Sequence, residues 1–310
     1  FRDNPQLPFE RIELRLDGGQ RASLVTPPCG THTATAELTS WSGKTRQASS
    51  TFAIERGCAS GAFAPAFAAG SVDPTAAGSS PFLLSLTRAD GEEQLGSVRK
   101  IALPEGLLGH VGEVALCGGA EADAGNCPAA SRLGRIEAAA GSGLSPLWVP
   151  QAGKSPTSVS LTGPYRGAPY GLSIVVPAQA GPFDLGKIVV RSALHVDERT
   201  TQLTTGVDQS RIYQPDGSLS QVLEGQMPTV LGGIPLNVKD LRVIVDRQGF
   251  MVNPTNCSPK QVSAQAVSSS GRTADLSTRY TAANCAALGF APRISLKVLG
   301  KTNRNAKPRL

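Results

Sequence analysis

Two stretches of this chain, near its beginning and near its end, are built alike, and that likeness limits the possible folds more than any other feature. The alternating segment HTATAEL (32–38) matches KQVSAQAV (260–267), the turn WSGKT matches SSGRT, and the strand SSTFAI matches STRYTA. Cysteines close both copies, Cys29 with Cys58 and Cys257 with Cys285, 29 and 28 residues apart, a difference that one turn can absorb. Phe63-Ala64-Pro65 and Phe290-Ala291-Pro292 follow at the same distance from Cys58 and Cys285. The period is near 227 residues, too long for a solenoid and suited to beads on a string. Residues 1–60 then read as the C-terminal part of a preceding β-sandwich domain and 290–310 as the opening strand of the next.

Between these ends the chain reads as strands. Charged residues make up only 17% of a sequence that holds 34 Gly and 23 Pro, a mix that favours short strands and tight turns over helices. PFLLSLTR and SVRKIALP alternate around the turn Asp90-Gly91, and a short helical turn is expected at 106–114. Tyr170 to Val176 and Lys187 to Val196 are long alternating strands joined by PAQAGPFDLG, and 201–207 continues a meander. Proline mostly flanks these runs, as its missing donor requires. The expectation is an all-β chain of tandem antiparallel, Ig-like β-sandwich domains with disulfide staples, one at 61–149 and one at 150–289.

Six cysteines in a chain with three histidines favour three bridges, and spacing points to consecutive pairing: Cys29–Cys58, Cys117–Cys127 and Cys257–Cys285. No Cys-x-x-Cys occurs and the histidines lie far apart, so zinc is a poor alternative. The bridges place the chain in an oxidising compartment, secreted or at a cell surface. No apolar run is long enough to span a bilayer, and FRDNPQLPFERIEL carries no leader, so an export signal would lie outside the chain.

The net charge of +6 comes from one end, where Arg293, Lys297, Lys301, Arg304, Lys307 and Arg309 stand without an acid. A basic tail on a neutral body is not a nucleic-acid footprint, which needs a clustered patch with stacking aromatics.

GPYRGAPYGLSIVVPAQAGPFDLGKIVVRSALHVD, LPEGLLGHVGEVALC with CPAASRLG, and VDRQGFMVNPTNC closely resemble the repeat of very large secreted or surface proteins of actinobacteria. The resemblance covers nearly the whole chain. It implies tandem, β-rich, exported domains, whose partners are the neighbouring repeats of the same polypeptide. It carries over no functional residues.

Signatures of catalysis are missing: Gly-x-Ser-x-Gly, His-Glu-x-x-His, the P-loop and the dinucleotide fingerprint are all absent, and no cofactor is implied. Glu92-Glu93, Asp184 and Asp197-Glu198 are available for glycoside hydrolysis, but all sit in expected turns. No Asp-x-Asp-x-Asp-Gly run exists for calcium, leaving Asp123 and Asp184 as isolated candidates. Asn256-Cys257-Ser258 fits a glycosylation sequon only formally, since the adjacent bridge argues against modification there. The best binding patch is Trp148 with Tyr165, Arg166 and Tyr170, since Trp, Tyr and Arg dominate recognition surfaces for protein or glycan; the competing reading is that they plug a core.

Three functions follow in order. A structural spacer predicts no concentrated site, an adhesin predicts these aromatics clustered in a shallow groove, and a hydrolase predicts a deep polar pocket with facing carboxylates.

Overall fold

The computed structural model describes residues 11–15, 30–55, 63–141, 143–297, 299–300 and 304. Cys29 and Cys58 lie outside the described residues, so their expected bridge does too. The described chain is all-β, with antiparallel sheets and two disulfides, Cys117–Cys127 and Cys257–Cys285.

A hairpin of β1 (Gly30–Thr39) and β2 (Thr45–Ile54) stands apart as its own two-stranded sheet. The remaining strands in chain order begin with β3 (Ala66–Ser71), β4 (Phe82–Thr87), β5 (Leu95–Ala102) and the short β6 (Leu108–Gly109). The α-helix α1 (Gly119–Ala124) precedes β7 (Arg132–Ala140), β8 (Leu147–Val149) and β9 (Ser158–Thr162). Then come β10 (Tyr170–Ala180), β11 (Phe183–Val196), β12 (Leu203–Thr205), β13 (Gln209–Tyr213) and β14 (Leu219–Glu224). After the small hairpin β15 (Val230–Leu231) and β16 (Ile234–Pro235), the chain forms β17 (Val238–Val245) and β18 (Met251–Val252). It ends in the hairpin β19 (Lys260–Ser268) and β20 (Thr273–Tyr280).

Eleven of these strands hydrogen-bond in one path, β20–β19–β5–β12–β11–β10–β9–β7–β17–β4–β3. The path curls until its ends lie side by side. Ser71 Oγ is 3.0 Å from Tyr280 Oη, and Thr75 and Ala283 form a parallel bridge just beyond them. The result is barrel-like, and its walls draw on the whole of residues 63–288. β4 pairs with β17, β7 with both β9 and β17, and β5 with β19. Strands from 61–149 and from 150–289 thus share one sheet. Backbone bonds join the two ends of the path only beyond the strands, where the Ala76 amide donates to Ala283 O and the Ala283 amide to Pro74 O.

The turn at Asp90-Gly91 does not make a hairpin. β4 and β5 lie in different walls, and Arg88 anchors the crossing: its side chain is buried and donates to the carbonyls of Val238, Ala89 and Glu92. The β10–β11 hairpin is tighter than expected, with Ala180 opposite Phe183 and only Gly181-Pro182 between them. The expected third meander strand is split, because Lys187 to Arg191 of β11 pair with β13 while His195 and Val196 pair with β12. At this fork the Ala193 amide, which has no strand partner there, donates to the Asp208 carboxylate, and the Asp208 amide donates to Arg191 O. Residues 291–297 form no strand.

The two long hairpins turn alike. Ser40 N bonds Lys44 O at 2.8 Å and Ser268 N bonds Arg272 O at 2.8 Å. Ser40 Oγ and Ser268 Oγ each accept from the amide four residues on, at 3.0 Å in both. Gly43 and Gly271 take φ of 78° and 91°, a region open to glycine and costly for other residues. Both turns have five residues, so the one-residue difference between the cysteine pairs falls after the turn. Their surroundings differ: Ala264 and Ala266 are buried, whereas Ala36 and Leu38 at the matching places are exposed.

Candidate functional site

Buried apolar residues fall into three clusters, not one. One gathers Phe82, Leu133, Leu161, Phe250 and Met251 beside Tyr170 and Leu194, a second gathers Leu86, Leu95, Val98 and Ala266 under β5 and β19, and the third gathers Ile188, Val190, Ile212 and Leu231. Between the clusters remains a cavity of about 460 Å³. Strand number explains it: about eight strands make a barrel that side chains just fill or that holds one small ligand, and this path has eleven. Leaving such a space empty would forfeit on the order of 10 kcal/mol at ~24 cal/mol per Å³. That equals the whole stability of a typical domain, about 5–15 kcal/mol.

Strand periodicity places its walls. On β10, Leu172, Ile174 and Val176 point inward and line the cavity, while Gly171, Ser173 and Val175 between them are buried on the outer face. β17 contributes Leu241, Val243 and Val245, and β11 contributes Ile188, Val190 and Leu194. Among the described residues no charged side chain lines the cavity; its polar side chains are Tyr170, Ser192, Thr201 and Thr205. The Thr205 hydroxyl is buried and has no hydrogen-bond partner among the described residues. From Tyr170 to Ala178 the lined stretch of β10 runs roughly 26 Å at ~3.3 Å per residue.

Exposure identifies the entrance. Of the lining residues, Leu108 is 46% exposed and Val196 37%, and Thr201 is exposed beside them. All three lie at the end where β10 begins and β11 finishes. The opposite end is capped by the buried Pro228 and Leu231. His110 and His195 are exposed near the entrance, and His32 lies on the separate hairpin.

The outer face of β9, β10, β11 and β13 is covered by the loop between Cys117 and Cys127. Arg191 carries this contact: almost fully buried, its guanidinium meets Asp123 of α1 at 2.6 Å and bonds the carbonyls of Leu172 and Gly119. Arg211 reaches the other Asp123 oxygen at 3.2 Å. Burial lowers the proton affinity of Arg191, and the Asp123 carboxylate opposes that by favouring the charged form. Tyr213 Oη and Ser173 Oγ donate to the α1 carbonyls of Asp123 and Ala122. The helix stops at Gly125, with φ 68° and ψ 31°; a Cβ there would sit 2.7 Å from Val189 Cγ2, so only glycine lets the loop lie this close.

The aromatic patch expected from sequence is divided. Trp148 lies near the end where β10 finishes, with the Arg242 guanidinium 4.4 Å from its ring. Tyr165 and Tyr170 lie where β10 begins. Tyr165 packs between Arg191 at 4.4 Å and Arg166 at 5.6 Å, and burial raises its phenol proton affinity. Arg166 pairs with Glu224 at 2.5 Å, and Tyr170 lines the cavity entrance region. These residues form no common groove: Tyr165 and Arg166 meet, and Trp148 does not join them.

Asp184 and Asp197 are held within their own turns, Glu93 reaches across to the β19–β20 turn, and Glu92 Oε2 is buried without a hydrogen-bond partner among the described residues. Asp184 accepts from Gln179 and the Gly186 amide, Asp197 from Thr200 and the Arg199 amide, and Glu93 from Ser270 while pairing with Arg272. Among the described residues no three His, Cys, Asp or Glu gather as metal ligands, and no helix is long and apolar enough to cross a membrane.

Sequence reasoning missed the cavity. Its inward Leu, Ile and Val positions read as an ordinary core face, and the available signal was arithmetic: many strands, but only 5% aromatic residues to fill them. No protein-family model matches the chain, and neither a curated protein nor a solved structure matches it.

Proposed function

We propose that this chain is a stretch of an exported repeat protein, in which disulfide-stapled β units follow one another in tandem as a non-catalytic spacer at the cell surface. One observation carries the reading: two hairpins 228 residues apart share a five-residue turn, bond for bond. Supporting it, Val262, Ala264 and Ala266 of β19 face a core, and the matching Ala34, Ala36 and Leu38 of β1 have the same pattern but, among the described residues, no sheet to cover it. In a tandem array each such hairpin would close its own unit, as β19 and β20 do here against β5. The partners in this reading are neighbouring repeats; the Ig-like sandwich expectation gives way to a curled, barrel-like unit.

The test is non-reducing peptide mapping of the full chain made in an oxidising compartment. Links at Cys29–Cys58, Cys117–Cys127 and Cys257–Cys285 are expected, the first being what the repeat demands. Free thiols at Cys29 and Cys58 in well-folded protein would remove the repeat reading; free thiols at all six would remove export as well.

A further inference from the structure

We propose that the barrel interior binds the single long acyl chain of a lipid, entering at the Leu108, Val196 and Thr201 rim. The inference stands on the cavity and is independent of the spacer reading.

Chemistry selects an apolar ligand, because none of the described residues that line the interior is charged and burying an ionised group there would be prohibitive. Size places the site within the ~300–1,000 Å³ of small-molecule pockets. Shape selects a chain over a compact ring system: the lined walls run the length of β10 and β11, from Tyr170 and Leu194 at the entrance end to Ala178 and Ile188 at the far end. Entry from one end leaves any polar head at the rim, where Thr201 is exposed. The unpartnered Thr205 hydroxyl, two strand positions in from Leu203, is placed to meet an ester or carboxyl oxygen.

The experiment uses the full chain, stripped of lipid by organic extraction, titrated with the fluorescent fatty acid cis-parinaric acid and with its methyl ester. Saturable binding of one molecule per chain is expected. Acid and ester should agree within about threefold, since no cation distinguishes them. Ala138→Phe, filling the space from β7, should weaken both about tenfold or more, with far-ultraviolet dichroism showing the fold intact. Val243→Phe, from β17, should do the same if the first variant fails to fold. Absence of saturable binding by the unaltered chain overturns the proposal. So does unchanged binding in a folded variant, or displacement of the probe by a sterol but not by palmitate.

Discussion

Arg191 and Asp123 meet at 2.6 Å beneath the Cys117–Cys127 loop, with the arginine side chain only 2% exposed and the aspartate 35%. The pair joins the loop to the outer wall of the barrel. Asp123→Asn should cost about 3 kcal/mol, because it strands a buried cation. Replacing both residues with leucine should cost clearly less than that single change. Urea unfolding of the three variants checks this; a double replacement as costly as the single would show that the pair itself, not the stranded charge, sets the loss.

Asp208 serves the fork in β11 in a similar way, taking the Ala193 amide that neither β12 nor β13 reaches. Asp208→Ala should destabilise the fold by about 1–3 kcal/mol through the orphaned amide. Hydrogen exchange should locate the effect, with Ala193 and its β12 neighbours losing protection first.

Glu93 sets an acid-side dependence. Hydrogen bonds from Ser268 and Ser270, and then the Arg272 charge, hold its carboxyl below the usual glutamate range. A carboxyl depressed on folding stabilises the fold above its unfolded value, about 4.3, and that contribution disappears as pH falls through the lower folded value. Wild type and Glu93→Gln should therefore differ in urea midpoint near pH 7 and converge below the ordinary glutamate range. A constant gap down to acid pH would refute this role.

Gly271 and Gly43 allow a paired comparison. Gly271→Ala forces a left-handed residue into a hairpin that closes the barrel and should cost about 1–2 kcal/mol. Gly43→Ala imposes the same strain on the separate hairpin and should leave the thermal midpoint of the barrel unchanged.

Alternation in sequence located strands well and their partners poorly. The runs at 170–176 and 187–196 fall inside β10 and β11, and the 257–285 bridge spans the hairpin expected there. Period-two patterning tells which face a residue takes and nothing about which strand lies beside it. The sequence shows two strands around Asp90-Gly91 and not that they lie in different walls, since the anchoring of Arg88 on Val238 links residues 150 apart. The cavity was hidden for a related reason: Leu172 or Val243 reads the same whether its face meets another side chain or open space. Asp123 stood out only as an isolated acid, its role depending on Arg191, 68 residues away.

The Cys257–Cys285 bridge has a mechanical consequence. Tension reaching Cys285 from the C-terminal side passes through sulfur to Cys257 and bypasses β19 and β20 altogether. The closing hairpin stays seated on β5 while the rest of the unit is stretched. Breaking the bridge would release roughly 90 Å of contour at ~3.3–3.6 Å per residue, so the reach of such a unit under load would be set by the oxidation state of two atoms.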